Sequence, residues 1–423
     1  MSTFFAKLKL ILTDASILRK LGYMVAGLIL FRLMATIPLP GIDHARLEAF
    51  FSDSALLGFL NVFSGGGLSN LSIMMLGVAP YITASIIMQL GTVLSPKLKA
   101  LYSEEGELGR KQFAQYSRLL SVPLAVMQGV GLLFFFQAQG IVLDLGWYLF
   151  AVNVAVAVAG SMLLMWIGEL ITEYGIGNGL SLIIFAGIVA SLPSTIAQLA
   201  FTFDPSQIPL YVTFVAAALA ITFGVVYVSE SERPIPVTYA KRVMGNQVTG
   251  GVQSYVPLRL NQAGVMPIIF ALSILTLPQI GVTYLSTSGS GAVSEIANLL
   301  LTFPGSEVVY AVVYFFFVIL FTYFFTAITF DPTQMANNLQ KNGAFVPGVR
   351  PGQTTAEYIG RVITRITLVG ALFLGVIAVL PLIIQNLTGV AALAIGGTAL
   401  LIIVSVVLDV VRKIDAQLSL REY

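Results

Sequence analysis

The chain has 423 residues, of which 57% are hydrophobic and only 10% charged, with a formal net charge of +2 and a mean hydropathy of +0.91. So apolar and charge-poor a composition excludes an ordinary soluble domain, and the absence of cysteine excludes disulfides, thiolate metal sites and cysteine nucleophiles. The small net charge identifies no partner.

A bilayer core asks for roughly 20 apolar residues per helix. Windows of that kind recur near 21–38, 71–94, 119–136, 148–168, 180–199, 210–228, 265–285, 308–330, 366–384 and 390–411. They are continuous runs, not the short alternations of a closed barrel, so the backbone must be satisfied inside helices. The fold class is therefore an all-α polytopic membrane protein with ten spans.

In chain order, residues 1–20 carry Phe4, Phe5, Leu8, Ile11, Leu12 and Ala15 at helical spacing around Lys7 and Lys9. They read as an amphipathic segment on the inner membrane surface; no removable signal peptide is visible. Next comes a stub too short to span, Leu56 to Phe63, tied by Gly65-Gly66-Gly67 to an apolar span that begins after Asn70. A backbone of that length is satisfied only where protein or a water-filled cavity surrounds it, and three glycines leave its hinge nearly free.

"GIGNG" at 175–179 lies between two apolar helices with no strand near it. It reads as an inter-helical hinge in which Asn178 caps the fifth span, not as a dinucleotide loop. The connections 229–263 and 331–361 are too long for simple turns. In the first, Ile235, Val237 and Tyr239 alternate as a strand does, and "VPLRL" is placed to pair with it across the 245–251 region.

All but two of the 22 Lys and Arg fall on alternate connections or at the termini; the exceptions are Arg32, inside the first span, and Arg46 in the next loop. The bias places both termini and both long connections in the cytoplasm.

Enzyme chemistry has little to draw on. The single histidine, His44, sits in an external loop, and no GxxxxGK[ST] occurs. The rival class is an ion-coupled secondary transporter of a small solute. Such carriers commonly place an ionisable group at mid-membrane. Here only Arg32 lies well within a span, while Glu169, Glu173 and Asp409 sit near cytoplasmic ends. A sodium-coupled carrier using backbone carbonyls stays open as the alternative.

Six segments, "LGVAPYITASIIMQL" (76–90), "EEGELGRKQFAQYSR" (104–118), "ITEYGIGNGLSLIIFAGI" (171–188), "AGVMPIIFA" (263–271), "AFVPGVRPGQTTAEYI" (344–359) and "GGTALLIIVSVVLD" (396–409), resemble the signature segments of the SecY family, the protein-conducting channels of the bacterial inner membrane. They follow the family's order over nearly the whole chain. The resemblance implies two pseudo-symmetric, inverted halves of five helices, 21–200 and 201–411, a cytoplasmic tail at 412–423, and a pore that opens across the membrane and sideways into lipid. It implies that the stub, about 56–70, is a re-entrant plug, with Leu60 and Phe63 on it and Gly65, Gly66 and Gly67 as its hinge.

The resemblance further implies a pore ring of Val78, Ile82, Leu180, Ile184, Ile269 and Ile402, and a lateral gate where Thr83 faces Leu277. The gate spans also carry Pro80 and Ser85 on one side and Pro267 and Pro278 on the other, which suggests interrupted helical ladders. By the same resemblance the partners are SecE-like and SecG-like small subunits, the SecA motor, the ribosome, an unfolded polypeptide with its signal sequence, and membrane lipid, with no cofactor. Lys241, Arg242 and Arg350 are the expected cytoplasmic contacts. Asn246 and Gln247 depart from the arginines that some members carry near the hairpin tip.

Overall fold

The computed structural model describes residues 13–42, 47, 64, 66–68, 70–103, 105–142, 146–201, 208–239, 242–244, 247–249, 253–275, 307–388 and 396–419. The body is helical: α1 (Ala15–Ala35), α2 (Ala79–Leu94), α3 (Pro96–Ser103), α4 (Gly106–Ala138), α5 (Gly146–Tyr174), α6 (Gly179–Phe201), α7 (Ile208–Glu230), α8 (Met266–Leu275), α9 (Glu307–Thr329), α10 (Pro332–Lys341), α11 (Gln353–Thr388) and α12 (Gly396–Ser419). Each apolar window contains one helix, and the short α3 and α10 lie between windows. Among the described residues α4, α5, α9 and α11 contain runs long and apolar enough to cross a membrane by length and composition. Large apolar side chains such as Leu94, Leu219 and Phe223 face outward, the inverse of a soluble protein's surface and the expected face toward lipid.

Helix α1 starts before the first window. Asp14 caps it, its carboxylate accepting from Ser16 N at 2.8 Å, so the end of the basic N-terminal segment is already helical; residues 1–12 lie outside the described residues. The stub carrying Leu60 and Phe63, and Gly65 of the hinge, also lie outside them.

The second apolar window departs from the sequence reading. Its helix begins only at Ala79, and residues 70–78 form successive turns although they are mostly buried. An apolar run gives no sign of this, because Leu, Met and Ile suit a buried turn and a membrane helix alike. The backbone is satisfied locally: Leu39 N donates to Leu71 O and Ile73 N to Ile37 O, both at 3.0 Å, around the bridge between Pro38 and Ser72. Pro80 then falls in the first turn of α2 and Pro267 in that of α8. No hydrogen bond is lost at such positions, so these two prolines do not interrupt their helices.

Helices α5 and α6 meet backbone to backbone. Asn178 Oδ1 accepts from Leu180 N at 3.1 Å and Ser181 N at 3.3 Å, as its capping role requires. Gly179 N donates to Thr172 Oγ1 at 2.8 Å, and a Cβ at Gly179 would collide with the Gly168 carbonyl.

On the side of the long connections, β1 (Glu232–Tyr239) pairs antiparallel with β4 (Gln253–Arg259), Ile235 opposite Val256. Between them β2 (Arg242–Met244) pairs with β3 (Gln247–Thr249). The second connection adds β5 (Ala344–Phe345) to the free edge of β1, Thr238 opposite Phe345. Ile235, Val237 and Leu258 bury under this sheet against Val346, Ile359, Val362 and Ile363. The two projections thus share one small core at the start of α11.

Gly160 on α5 is the tightest seat for the irregular segment: a Cβ there would strike the Ile73 carbonyl. Gly160→Ala is expected to push residues 73–78 off α5 and cost about 1–3 kcal/mol, the usual range for overpacking. Thermal unfolding in detergent reads this as a lowered midpoint, and an unchanged midpoint would mean the segment is not seated on α5.

Candidate functional site

The site begins where the glycine run ends. Gly66 has φ +84° and Gly77 has φ +57°, and the non-glycine Leu71 is held at φ +40° between them, a conformation that side chains adopt rarely and that marks an over-determined segment. A Cβ on Gly67 would lie 2.7 Å from Met74 O, so a glycine is needed there for close approach alone. Ser64 Oγ accepts from Leu68 N at 2.8 Å, while Ser72 Oγ donates to Gly67 O at 3.0 Å and accepts from Met74 N at 3.2 Å. Ser161 of α5 donates to Gly77 O at 2.8 Å. The guanidinium of Arg32 lies over the hinge, its Nη1 3.1 Å from where a Cβ of Gly66 would stand.

The segment's side chains divide between two apolar clusters. Leu68, Leu71, Met75 and Leu76 pack with residues of α4 and α5. Met74 and Val78 join the central cluster, drawn from nearly every long helix. Five of the six expected ring residues, Val78, Ile82, Ile184, Ile269 and Ile402, are buried in this central cluster, and Leu180 packs against it. They come from the start of α2, from α6, from α8 and from α12. Residues distant in the chain thus meet in one contiguous apolar body.

Next to that body lies a cavity of about 550 Å³, walled by the ends of α6, α7, α8 and α12 and by β4. The charges on its wall are largely paired. Arg412 donates to Glu230 Oε1 from Nη2 at 2.7 Å and from Nε at 3.0 Å, and to Ser229 O at 2.7 Å. Arg259 Nε meets Glu232 Oε1 at 3.1 Å, and Lys413 Nζ meets Asp409 Oδ2 at 3.0 Å. These partly exposed pairs add little stability, yet they leave the cavity close to neutral. Elsewhere Glu169 pairs with Arg118 at 2.6 Å between α5 and α4.

Of the expected gate pair, Thr83 is buried on α2 and its hydroxyl donates to Ala79 O at 2.9 Å, while Leu277 lies outside the described residues. Arg350 is exposed on the turn after β5, where its carbonyl accepts from Thr355 Oγ1 at 2.8 Å. Arg242 begins β2, and Lys241 lies outside the described residues. Sequence reasoning missed Ser161 and the serines of residues 64–72; the signal available was the Gly160-Ser161 pair inside an otherwise large and apolar helix.

The SecY family model matches residues 72–411. The chain is 41% identical to the protein translocase subunit SecY of Mycobacterium bovis, over 96% of both chains, and 41% identical to the same subunit of Escherichia coli K12, over 96% of this chain and 92% of that one. Among solved structures, it superposes with a TM-score of 0.66 and 20% identity on one described as a protein conducting channel, covering 96% of this chain and 93% of that one. It superposes at 0.63 and 19% on Sec61 in a canine ribosome-channel complex, with the same coverage.

The buried Ser161–Gly77 bond joins the irregular segment to α5. Ser161→Ala is expected to leave a buried carbonyl short of a donor, costing about 1–3 kcal/mol. A lowered unfolding midpoint in detergent is the readout, and a melt matching the parent would show that the carbonyl finds its donor elsewhere.

Proposed function

The chain belongs to the SecY family, the pore-forming subunits of the protein-conducting channel and not enzymes, and from that premise we propose that the central apolar cluster is the seal of its pore. The observation that carries this is the convergence of Val78, Ile82, Leu180, Ile184, Ile269 and Ile402 from four helices on one apolar body. A ring of bulky aliphatics excludes water and ions by dewetting, and because apolar contacts are non-directional it can widen around any passing side chain. The rival reading as an ion-coupled carrier finds no support among the relatives.

In the same proposal the body has ten spans in two inverted halves, 21–200 and 201–411, with both termini in the cytoplasm; the ten apolar windows and the alternating basic connections support it. The segment at about 56–70 is the plug, and Gly65, Gly66 and Gly67 are its hinge. Its support is a stub too short to span, followed by a glycine run in which Gly66 holds a positive φ. In bacteria the membrane is the inner one. The substrate is an unfolded polypeptide with a signal sequence, whose apolar segments leave into lipid between α2 and α8, at Thr83 and Leu277. SecE-like and SecG-like subunits complete the channel, and the SecA motor or the ribosome delivers the chain; the likeness to a Sec61 structure in a ribosome complex supports the latter. Lys241, Arg242 and Arg350 meet these partners.

Ile402→Asn is expected to wet the ring and raise resting ion conductance of reconstituted bilayers at least several-fold, and a seal as tight as the parent's would contradict the assignment. Thr83→Cys with Leu277→Cys tests the lateral gate in a chain free of other cysteines. Cα atoms within about 7 Å can be bridged, so mild oxidation should cross-link the pair, arrest translocation and release it on reduction. Undiminished translocation by the cross-linked form would place the gate elsewhere.

A further inference from the structure

The cavity beside the apolar cluster shares three helices, α6, α8 and α12, with the proposed ring. Ser181, Met266 and Ser405 line the cavity, and each stands three residues from a ring position, Ile184, Ile269 and Ile402 respectively. Three residues is close to one helical turn, so α6, α8 and α12 each present a cavity layer and a ring layer one turn apart. The turn leading into α8 adds Asn261 and Gln262 to the cavity wall. This turn is held firmly: Leu260 N donates to Ser231 O at 3.0 Å, and a Cβ on Gly370 of α11 would come within 2.5 Å of Leu260 O.

Three oxygens in this layer, Asn261 Oδ1, Gln262 Oε1 and Ser405 Oγ, are covered from solvent and have no hydrogen-bond partner among the described residues. Leaving such an atom unpaired costs about 1–3 kcal/mol, and native proteins tolerate this at few places. The neighbouring charges do not relieve it, since Arg259, Arg412 and Lys413 are already engaged with carboxylates. All three oxygens can accept hydrogen bonds. The two amide oxygens lack a donor, and the Ser405 hydroxyl lacks a partner of either kind.

We propose that Asn261, Gln262 and Ser405 form a collar that accepts hydrogen bonds from the backbone N–H groups of the polypeptide as it enters the ring. This rests on the channel reading above and adds a substrate-binding subsite to it. A backbone N–H is the one donor that nearly every residue of an unfolded chain carries, so acceptors of this kind hold a chain without reading its sequence. The same contact offsets the desolvation that the backbone meets on leaving water for an apolar ring. Proline alone carries no N–H, and a run of prolines should pass the collar unheld.

The test uses the full channel complex in vesicles and precursors stalled with either a ten-residue alanine window or a ten-residue proline window at the ring. The rate of backward slippage is measured once the driving force is removed. Alanine windows should slip about tenfold more slowly than proline windows, which is the effect of two or so neutral hydrogen bonds. Asn261→Leu with Gln262→Leu should bring that ratio close to one while leaving the unfolding midpoint unchanged or raised, since no existing bond is removed. Ser405→Ala, a smaller change, should lower the ratio part of the way and serves if the double variant folds poorly. A ratio that survives both variants, or variants that speed both windows equally, would overturn the collar. Failure of the parent to stall any precursor would overturn the channel reading instead, so the two failures are distinct.

Discussion

The helical body depends on an apolar contact that is strong in sum and has no direction. A structure that must admit an arbitrary polypeptide cannot close its centre with hydrogen bonds or ion pairs, because each would leave unpaired polar atoms when broken. Aliphatic side chains leave none. The central cluster draws aliphatic and aromatic side chains from α1, α2, α5, α6, α7, α8, α9, α11 and α12. In the proposed opening, helices joined this way part and rejoin at a cost set mainly by the apolar area exposed.

A centre proposed to yield needs an unyielding frame, and close backbone approaches supply one. Gly168 with Gly179 locks α5 to α6, Gly160 with Ile73 seats the irregular segment on α5, and Gly370 with Leu260 fixes the turn before α8 against α11. Small residues allow this kind of packing where lipid supplies no hydrophobic drive between helices. Polar bonds reinforce the same frame: Ser161 to Gly77, Thr172 to Gly179 and the cap of Asn178. The sheet of β4, β1 and β5 ties the two long connections together, with Ile235, Val237 and Leu258 of the first packed against Val346 of the second.

Much of this was legible because it follows from periodicity or fixed turn chemistry. The apolar windows each hold a helix, Asn178 caps α6, and Ile235 and Val237 alternate into the core of a strand. The start of α2 was not legible, since "LSIMMLGV" is equally at home in a buried turn and the decisive partners, Ile37 and Ser161, lie far away in sequence. Strand β5 escaped for a simpler reason: two residues carry no period. The ring positions came from family resemblance. Read alone, an isoleucine on an apolar helix is packing, and only the structure shows that five of these six lie in one cluster with Leu180 packed against it.

The central claim is that this cluster opens around a polypeptide, and the chain's lack of cysteine makes it directly measurable. Single cysteines are placed at Val78, Ile82, Leu180, Ile184, Ile269 and Ile402, and at Leu94, which is 85% exposed on the outer face of α2. Each variant is oxidised with a stalled precursor carrying one cysteine at the ring. The account predicts that all six positions form disulfides with the same stretch of precursor and that Leu94 forms none. Capture at Leu94 with the six positions silent would show that the polypeptide travels along the lipid face and that the cluster is a permanent core.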